Sequence, residues 1–192
     1  MKLIKLLTIL VLATFISACT TTTQPVQLKP TLKATKQQNI GQGKEVAVTI
    51  DDARKFKSIG KSITNTRTNP TVPVNISGDV ADTLQKVVDQ GLSQYGFKSS
   101  EKGATKLKVD LSTFSYKATE GTFKTSVIIN TVINVTATNG NKTYHSSYEA
   151  NRSFSGVFTP SNKDNAKNIN LAFSDVINKM MDDKSLMNFL AK

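Results

Sequence analysis

The stretch FKTSVIINTVINVTATNGNKTYHSSYEANRSFSG, residues 123–156, decides the fold. From Phe123 to Thr138 apolar and polar residues alternate. Odd positions carry Phe123, Val127, Ile129, Ile133, Val135 and Ala137, and even positions carry Lys124, Ser126, Asn130, Asn134 and Thr136. A period of two is the signature of a strand with one buried face. Ile128 and Val132 are the exceptions on the polar side. Asn139-Gly140 is a strong hairpin signal, because both residues tolerate positive φ. A two-residue turn there places Thr138 opposite Asn141. Ile133 then faces Ser146, Val135 faces Tyr144, Thr131 faces Tyr148 and Thr125 faces Phe154. The aromatic residues of the returning strand fall on the face already buried in its partner, so two separate readings agree.

Outward from this hairpin, Leu107, Val109 and Leu111 alternate in a preceding strand that runs towards Tyr116. Earlier still, Val80, Leu84, Val87, Val88 and Leu92 recur at helical spacing behind a cap at Ser77 or Asp79, with Gly96 placed as a stop. Gly91 inside that helix suits close packing. After Pro160, Ser161 caps a second helix with the stripe Ile169, Phe173, Val176, Ile177 and Met180. Leu186, Phe189 and Leu190 suggest a last short turn. Glu45 to Ile50 reads as a first strand ended by Asp51 and Asp52. Residues 55–76 fit either a second short strand or a returning loop, because Pro70 and Pro73 interrupt them. The expected fold is an α+β two-layer sandwich, with an approximately four-stranded, mostly antiparallel sheet and two amphipathic helices packed on one face.

The N-terminus speaks about location. Lys2 and Lys5 precede an apolar run from Leu6 to Phe15, then Ser17, Ala18 and Cys19. This is the plan of a secretory signal, too short to span a bilayer. Ile16-Ser17-Ala18-Cys19 resembles a lipobox, with cleavage between Ala18 and Cys19 and lipidation of Cys19. That is the only cysteine, so its acylation leaves no thiol for a disulfide, a thiolate metal site or a nucleophile. Residues 1–18 are therefore expected as signal peptide. Residues 19–43, rich in Thr, Gln, Lys and Pro, are expected as lipidated terminus and flexible tether, and 44–192 as one periplasmic domain. By resemblance to lipoprotein sorting, Thr20 after the cysteine points to the inner leaflet of the outer membrane.

The net charge is +11, and removing Lys2 and Lys5 with the signal leaves +9. A basic exported domain favours anionic lipid or cell-wall polymers, or simply solubility; export argues against nucleic acid. No catalytic constellation emerges. The single histidine, His145, falls on the polar face beside Ser147 and across from Asn134. Neighbours on one strand face stand nearly 7 Å apart, too far for direct relay with Ser147 or Glu149. Asp51, Asp52 and Arg54 at a strand end read as turn chemistry, although paired carboxylates can also bind a metal or share a proton. Asp182-Asp183 reads as a cap. Phosphate loops, zinc spacings and calcium loops are missing from the sequence, and no metal or cofactor is expected. The candidate interaction surface is the polar sheet face, with Ile128, Asn130, Val132, Asn134, His145 and Ser147, and with Val157 beyond them.

Several features together resemble the YajG-type lipoproteins. They are the lipobox start, the early strand ending in Asp52 and Arg54, and the hairpin Asn139-Gly140-Asn141-Lys142. The run Phe158-Thr159-Pro160-Ser161-Asn162-Lys163 into the last helix and the ending Asp183-Lys184-Ser185-Leu186 belong to the same pattern. The resemblance implies an outer-membrane-associated lipoprotein without an established activity or catalytic residues. The expected function is a non-enzymatic binding or scaffolding module, with the membrane as partner through the lipid and an envelope protein or cell wall as possible second partner. The alternative is a periplasmic binder of an anionic cell-wall fragment or lipid.

Overall fold

The computed structural model describes residues 24–33, 39–64 and 71–192. The expected signal peptide and the cleavage and lipidation positions Ala18 and Cys19 lie outside the described residues. The chain forms β1 (Gln24–Gln27), β2 (Glu45–Asp51), β3 (Ser58–Ile63) and β4 (Thr71–Ser77). Then come α1 (Val80–Gln94), β5 (Lys98–Ser99), β6 (Thr105–Glu120), β7 (Thr125–Asn139) and β8 (Lys142–Gly156), followed by α2 (Asn162–Met181) and α3 (Lys184–Leu190).

The four-stranded, mostly antiparallel sheet with two helices is therefore corrected. Among the described residues the sheet has eight strands of mixed direction, and there are three helices. Long β6, β7 and β8 form an antiparallel meander. The free edge of β6 is covered by two strands in line: β2 runs parallel to its first half and β3 parallel to its second. β5 adds to β2 in parallel, β4 pairs antiparallel with β3, and β1 pairs parallel with β4. The additional strands are two to seven residues long, and several pair with partners remote in sequence, so no local hairpin signal announces them.

One face of this sheet is dry. Val127, Ile129, Ile133, Val135 and Ala137 of β7 and Tyr148 and Ala150 of β8 are buried in a single core with the helices. α1 packs over β2 and β5, and α2 over β7 and β8. In β6 the buried positions are Leu107, Val109 and Leu111, then Phe114 and Tyr116. The change of parity follows from a bulge between Leu111 and Thr113, which returns both rings to the core side.

Both major helices begin as the sequence predicts. Asp79 caps α1 through the Asp82 amide, and Ser161 caps α2 through the Asp164 amide. A Cβ on Gly91 would sit 2.6 Å from Met181 Sδ, so that glycine permits contact between α1 and the end of α2. The hairpin register differs from expectation by two residues. Asn139 faces Lys142, the turn is Gly140-Asn141, and Ile133 faces Tyr148 rather than Ser146. Gly140 takes φ +57° and Asn141 stays at negative φ, a pattern that puts the glycine in the first central position. A shift of two preserves parity, so every side chain keeps its face. Phe123 is also corrected: β7 starts at Thr125, and Phe123 is 85% exposed in the preceding loop.

The segment expected as a tether is folded over its described residues 24–33 and 39–43. Val26 and Leu28 are buried, and Gly41 donates its amide to the Tyr95 carbonyl. α2 holds the backbone after β1 with one polar side chain per turn. Lys29 N donates to Asn170 Oδ1 (2.5 Å), Thr31 N to Ser174 Oγ (3.0 Å) and Lys33 N to Asn178 Oδ1 (2.8 Å). Four helical residues rise about 6 Å and two extended residues about 6.6 Å, so the ladders match.

Candidate functional site

The sheet face turned away from the helices is open, and it carries all six residues expected on the interaction surface. Ile128, Asn130, Val132 and Asn134 project from β7, and His145 and Ser147 from β8. The β6–β7–β8 registers arrange them in rows: Lys117–Ile128–Ser153, Ser115–Asn130–Asn151, Thr113–Val132–Glu149, Asp110–Asn134–Ser147 and Lys108–Thr136–His145. Ile128 is 47% exposed, a large apolar side chain among hydroxyls, amides and charges.

Polar contacts fix the far end of this face. Ser147 Oγ donates to Asn134 Oδ1 at 2.8 Å, and Thr136 Oγ1 lies 3.1 Å from His145 Nδ1. His145 therefore sits across from Thr136, and the expected pairing with Asn134 belongs to Ser147. Asn130 Oδ1 is buried between its neighbours without a hydrogen-bond partner among the described residues. Lys108 Nζ holds Asp110 at 2.9 Å, and that hydrogen bond raises the ammonium pKa. The arrangement offers donors, acceptors and half-buried apolar contacts on a rigid sheet, suited to docking another surface.

A second concavity, of about 520 Å³, opens where β2 and β4 end beside the start of α1. Asp51, Asp52, Arg54, Lys57 and Asp79 line it with Ile50 and Ile76. Arg54 Nε and Nη2 each donate to one oxygen of Asp52 at 2.6 Å, a bidentate pair. The hydrogen bond from Arg54 is the main reason the Asp52 carboxyl titrates below its ordinary value, against the opposing effect of burial. The carboxylate expected as a candidate metal or proton site is thus committed to Arg54. Among the described residues, no group of three histidine, cysteine or carboxylate side chains could hold a metal ion. The three carboxylates of the cleft outnumber its two cations, which disfavours an anionic ligand there.

Asp183 acts as the expected cap. Its Oδ1 accepts from the Ser185 and Leu186 amides, while Oδ2 accepts from the Tyr144 and Tyr148 hydroxyls at 2.7 and 2.6 Å. Burial would raise the Asp183 pKa, but these donors outweigh it and the group titrates low. Burial, then the bond to Asp183, pushes the Tyr148 hydroxyl far above its usual range. In the core, Tyr116 donates to Asn165 Oδ1 at 2.7 Å, and Asn165 Nδ2 donates to Ser62 Oγ at 3.2 Å, tying β6, α2 and β3 together.

At one pole of the sheet the sequence reading missed a feature. The β6–β7 loop exposes Phe123, and the segment after β8 exposes Val157 at 77% and Phe158 at 84%. These loops face each other across a shallow recess with Lys124. Phe123 fits the alternation of β7 so well that periodicity assigns it to the core. Val157, expected on the sheet face, lies past the end of β8.

Comparison with known proteins adds a lineage. Residues 30–191 match the family described as uncharacterized lipoprotein. The chain is 26% identical over 188 residues to the uncharacterized lipoprotein YajG of Escherichia coli strain K12, covering 97% of this chain and 96% of that protein. The YajG protein of Escherichia coli O6:H1 matches to the same extent. Among solved structures, protein XCC0632 of Xanthomonas campestris superposes with a TM-score of 0.57 at 11% identity. That match covers 86% of this chain and 96% of the other and speaks to the fold alone. No helix among the described residues is long and apolar enough to cross a membrane.

Proposed function

We propose, from the premise that the chain belongs to the uncharacterized-lipoprotein family and is therefore an envelope protein of YajG type, that it is a non-enzymatic docking module. In this reading signal cleavage precedes Cys19, its thiol carries the lipid, and the domain faces the periplasm from the inner leaflet of the outer membrane. The lipobox Ile16-Ser17-Ala18-Cys19 and Thr20 after it support that placement.

The observation that carries the docking role is the open face of β6–β8. One face of the sheet packs against the helices. The other presents Ile128 and Val132 among Asn130, Asn134, His145 and Ser147, on strands whose register is held by neighbours on both sides of β7. Such a face can bind an envelope protein with little ordering cost, because the side chains already stand on a rigid scaffold. The alternative, an anionic cell-wall fragment or lipid as ligand, draws on the net charge but finds no cationic pocket in the cleft.

The test is photocrosslinking in intact cells from a benzophenone residue at position 134 or 147, with position 86 on the outer side of α1 as control. Discrete adducts with an envelope component from 134 and 147 but not 86 are expected. Adducts of equal yield from all three positions, or from none, would reject this face as the docking surface.

A further inference from the structure

The two loops that expose Phe123, Val157 and Phe158 lie at the pole from which the N-terminal segment enters. β6 ends there at Glu120, β7 starts there at Thr125, and β8 ends there at Gly156. β4 runs away from that pole, since Thr71 pairs with Ile63 at the end of β3. β1 is parallel to β4, so Gln24 is its end nearest the same pole.

The reach can be worked out from the registers. Gln24 pairs with Val74, Val74 with Gly60, Gly60 with Tyr116, and Tyr116 with Ile129. From Tyr116 to Glu120 is four residues, about 13 Å of strand, and the loop projects beyond that. From Cys19 to Gln24 is five residues, at most about 17 Å of chain. Along the strand axis a lipid on Cys19 therefore reaches about the level of the loops, set three strand spacings, about 14 Å, to the side of β6. With the acyl chains in a leaflet, the anchor segment is just long enough to let the pole touch that leaflet and too short to hold the domain well clear of it.

We infer that Phe123, Val157 and Phe158 form a membrane-contacting tip that enters the interfacial layer of the leaflet holding the lipid of Cys19. The chemistry suits that occupant. Two phenylalanines and a valine, each more than three-quarters exposed, supply apolar area, and Lys124 beside Phe123 can meet anionic headgroups. The lipid of Cys19 ties the domain at one point without fixing its orientation, and a second point of contact fixes it while adding binding. The long axis of the sheet then stands off the membrane, and the open face of β6–β8 is presented sideways to the periplasm.

The inference rests on acylation at Cys19, and the experiment separates the two. The chain has no tryptophan, so Phe123→Trp creates a single reporter. The full-length, membrane-processed protein would be weighed intact and reconstituted into phosphatidylethanolamine–phosphatidylglycerol vesicles, with and without brominated acyl chains. Phe158→Trp reports independently from the second loop should the first variant misfold. Thr143→Trp, at the opposite pole, is the control. Blue-shifted emission quenched severalfold by bromolipid at 123 or 158, and unquenched at 143, is expected. Acylated, vesicle-bound protein whose reporters stay water-exposed overturns the tip while leaving the anchor intact. A blue shift without bromolipid quenching also overturns it, since a second copy of the chain then covers the loops. A chain without acyl mass that fails to float with vesicles overturns the anchor and the tip together.

Discussion

Arg54 is the residue whose surroundings say most about the cleft. Its side chain is only 6% exposed, lies 6.0 Å from the centre of the Phe114 ring and gives two donors to Asp52. Removing one partner from such a pair strands a buried charge, which costs about 3 kcal/mol. Asp52→Asn is therefore expected to lower the midpoint of urea unfolding at pH 7 by an amount matching that loss. The pH dependence has a definite sign. The folded-state pKa of Asp52 lies below its unfolded value of 3.8, so its contribution is present above pH 3.8 and fades as pH falls through the lowered folded value. The wild type should accordingly lose stability in acid faster than the variant, and the gap between their urea midpoints should narrow below pH 3.8. A gap that stays constant down to strong acid would mean that the pair contributes nothing through its charge. The pairing also explains why Asp52, a plausible proton or metal site by residue type, is occupied structurally.

At the scale of elements, the ladder of Asn170, Ser174 and Asn178 on α2 makes a folded strap of a segment that composition describes as a tether. Asn178 is buried, accepts from Lys33 N and donates to the Thr31 carbonyl at 3.0 Å. Asn178→Ala removes both bonds and leaves two backbone groups without these partners, a loss of about 2 kcal/mol. Hydrogen exchange at the Lys33 amide should accelerate about thirtyfold while amides in the centre of β7 change little. Unchanged protection there would show that the strap is held by other contacts. Strands β6, β7 and β8 and helices α1 and α2 were legible because each repeats its period over many residues. The open-face residues were legible for the same reason, since a two-residue error in the turn leaves parity untouched. β1, β4 and β5 were not, and β3 was one of two alternatives open for residues 55–76. They are short, interrupted by Pro25 or Pro73 in two cases, and in parallel pairings they lie far from their partners along the chain. The i, i+4, i+8 spacing of Asn170, Ser174 and Asn178 was visible in the letters but is not an apolar signal, and the bulge at Ser112 shows only as a shift of apolar parity between Leu111 and Phe114. Gly60 belongs to the same class. A Cβ there would lie 1.8 Å from the Tyr116 carbonyl oxygen, so β3 can approach β6 only with glycine at this position. That requirement is invisible without the partner strand. Phe123 failed in the opposite way, by fitting a pattern it does not belong to.

For the whole molecule, polarity of the sheet is the organising fact. The N-terminal entry and the apolar loops lie at one pole, and α3 with its Asp183 cap at the other, where Tyr144 and Tyr148 approach it. Helices occupy one face and leave the other open. In the proposed reading the domain has a pole for the membrane, a covered side that holds it together and an open side for a partner. The proposed membrane and docking roles both rest on the protein being tied to a leaflet at Cys19. The most direct measurement is the intact mass of the membrane-extracted protein beside Cys19→Ala, with fractionation of the envelope. The account predicts a wild-type chain beginning at Cys19, heavier than its polypeptide by a diacylglyceryl group with any further acyl chain, in the outer-membrane fraction, and a variant that is uncleaved or mislocalised. A soluble wild type with no acyl mass would contradict it.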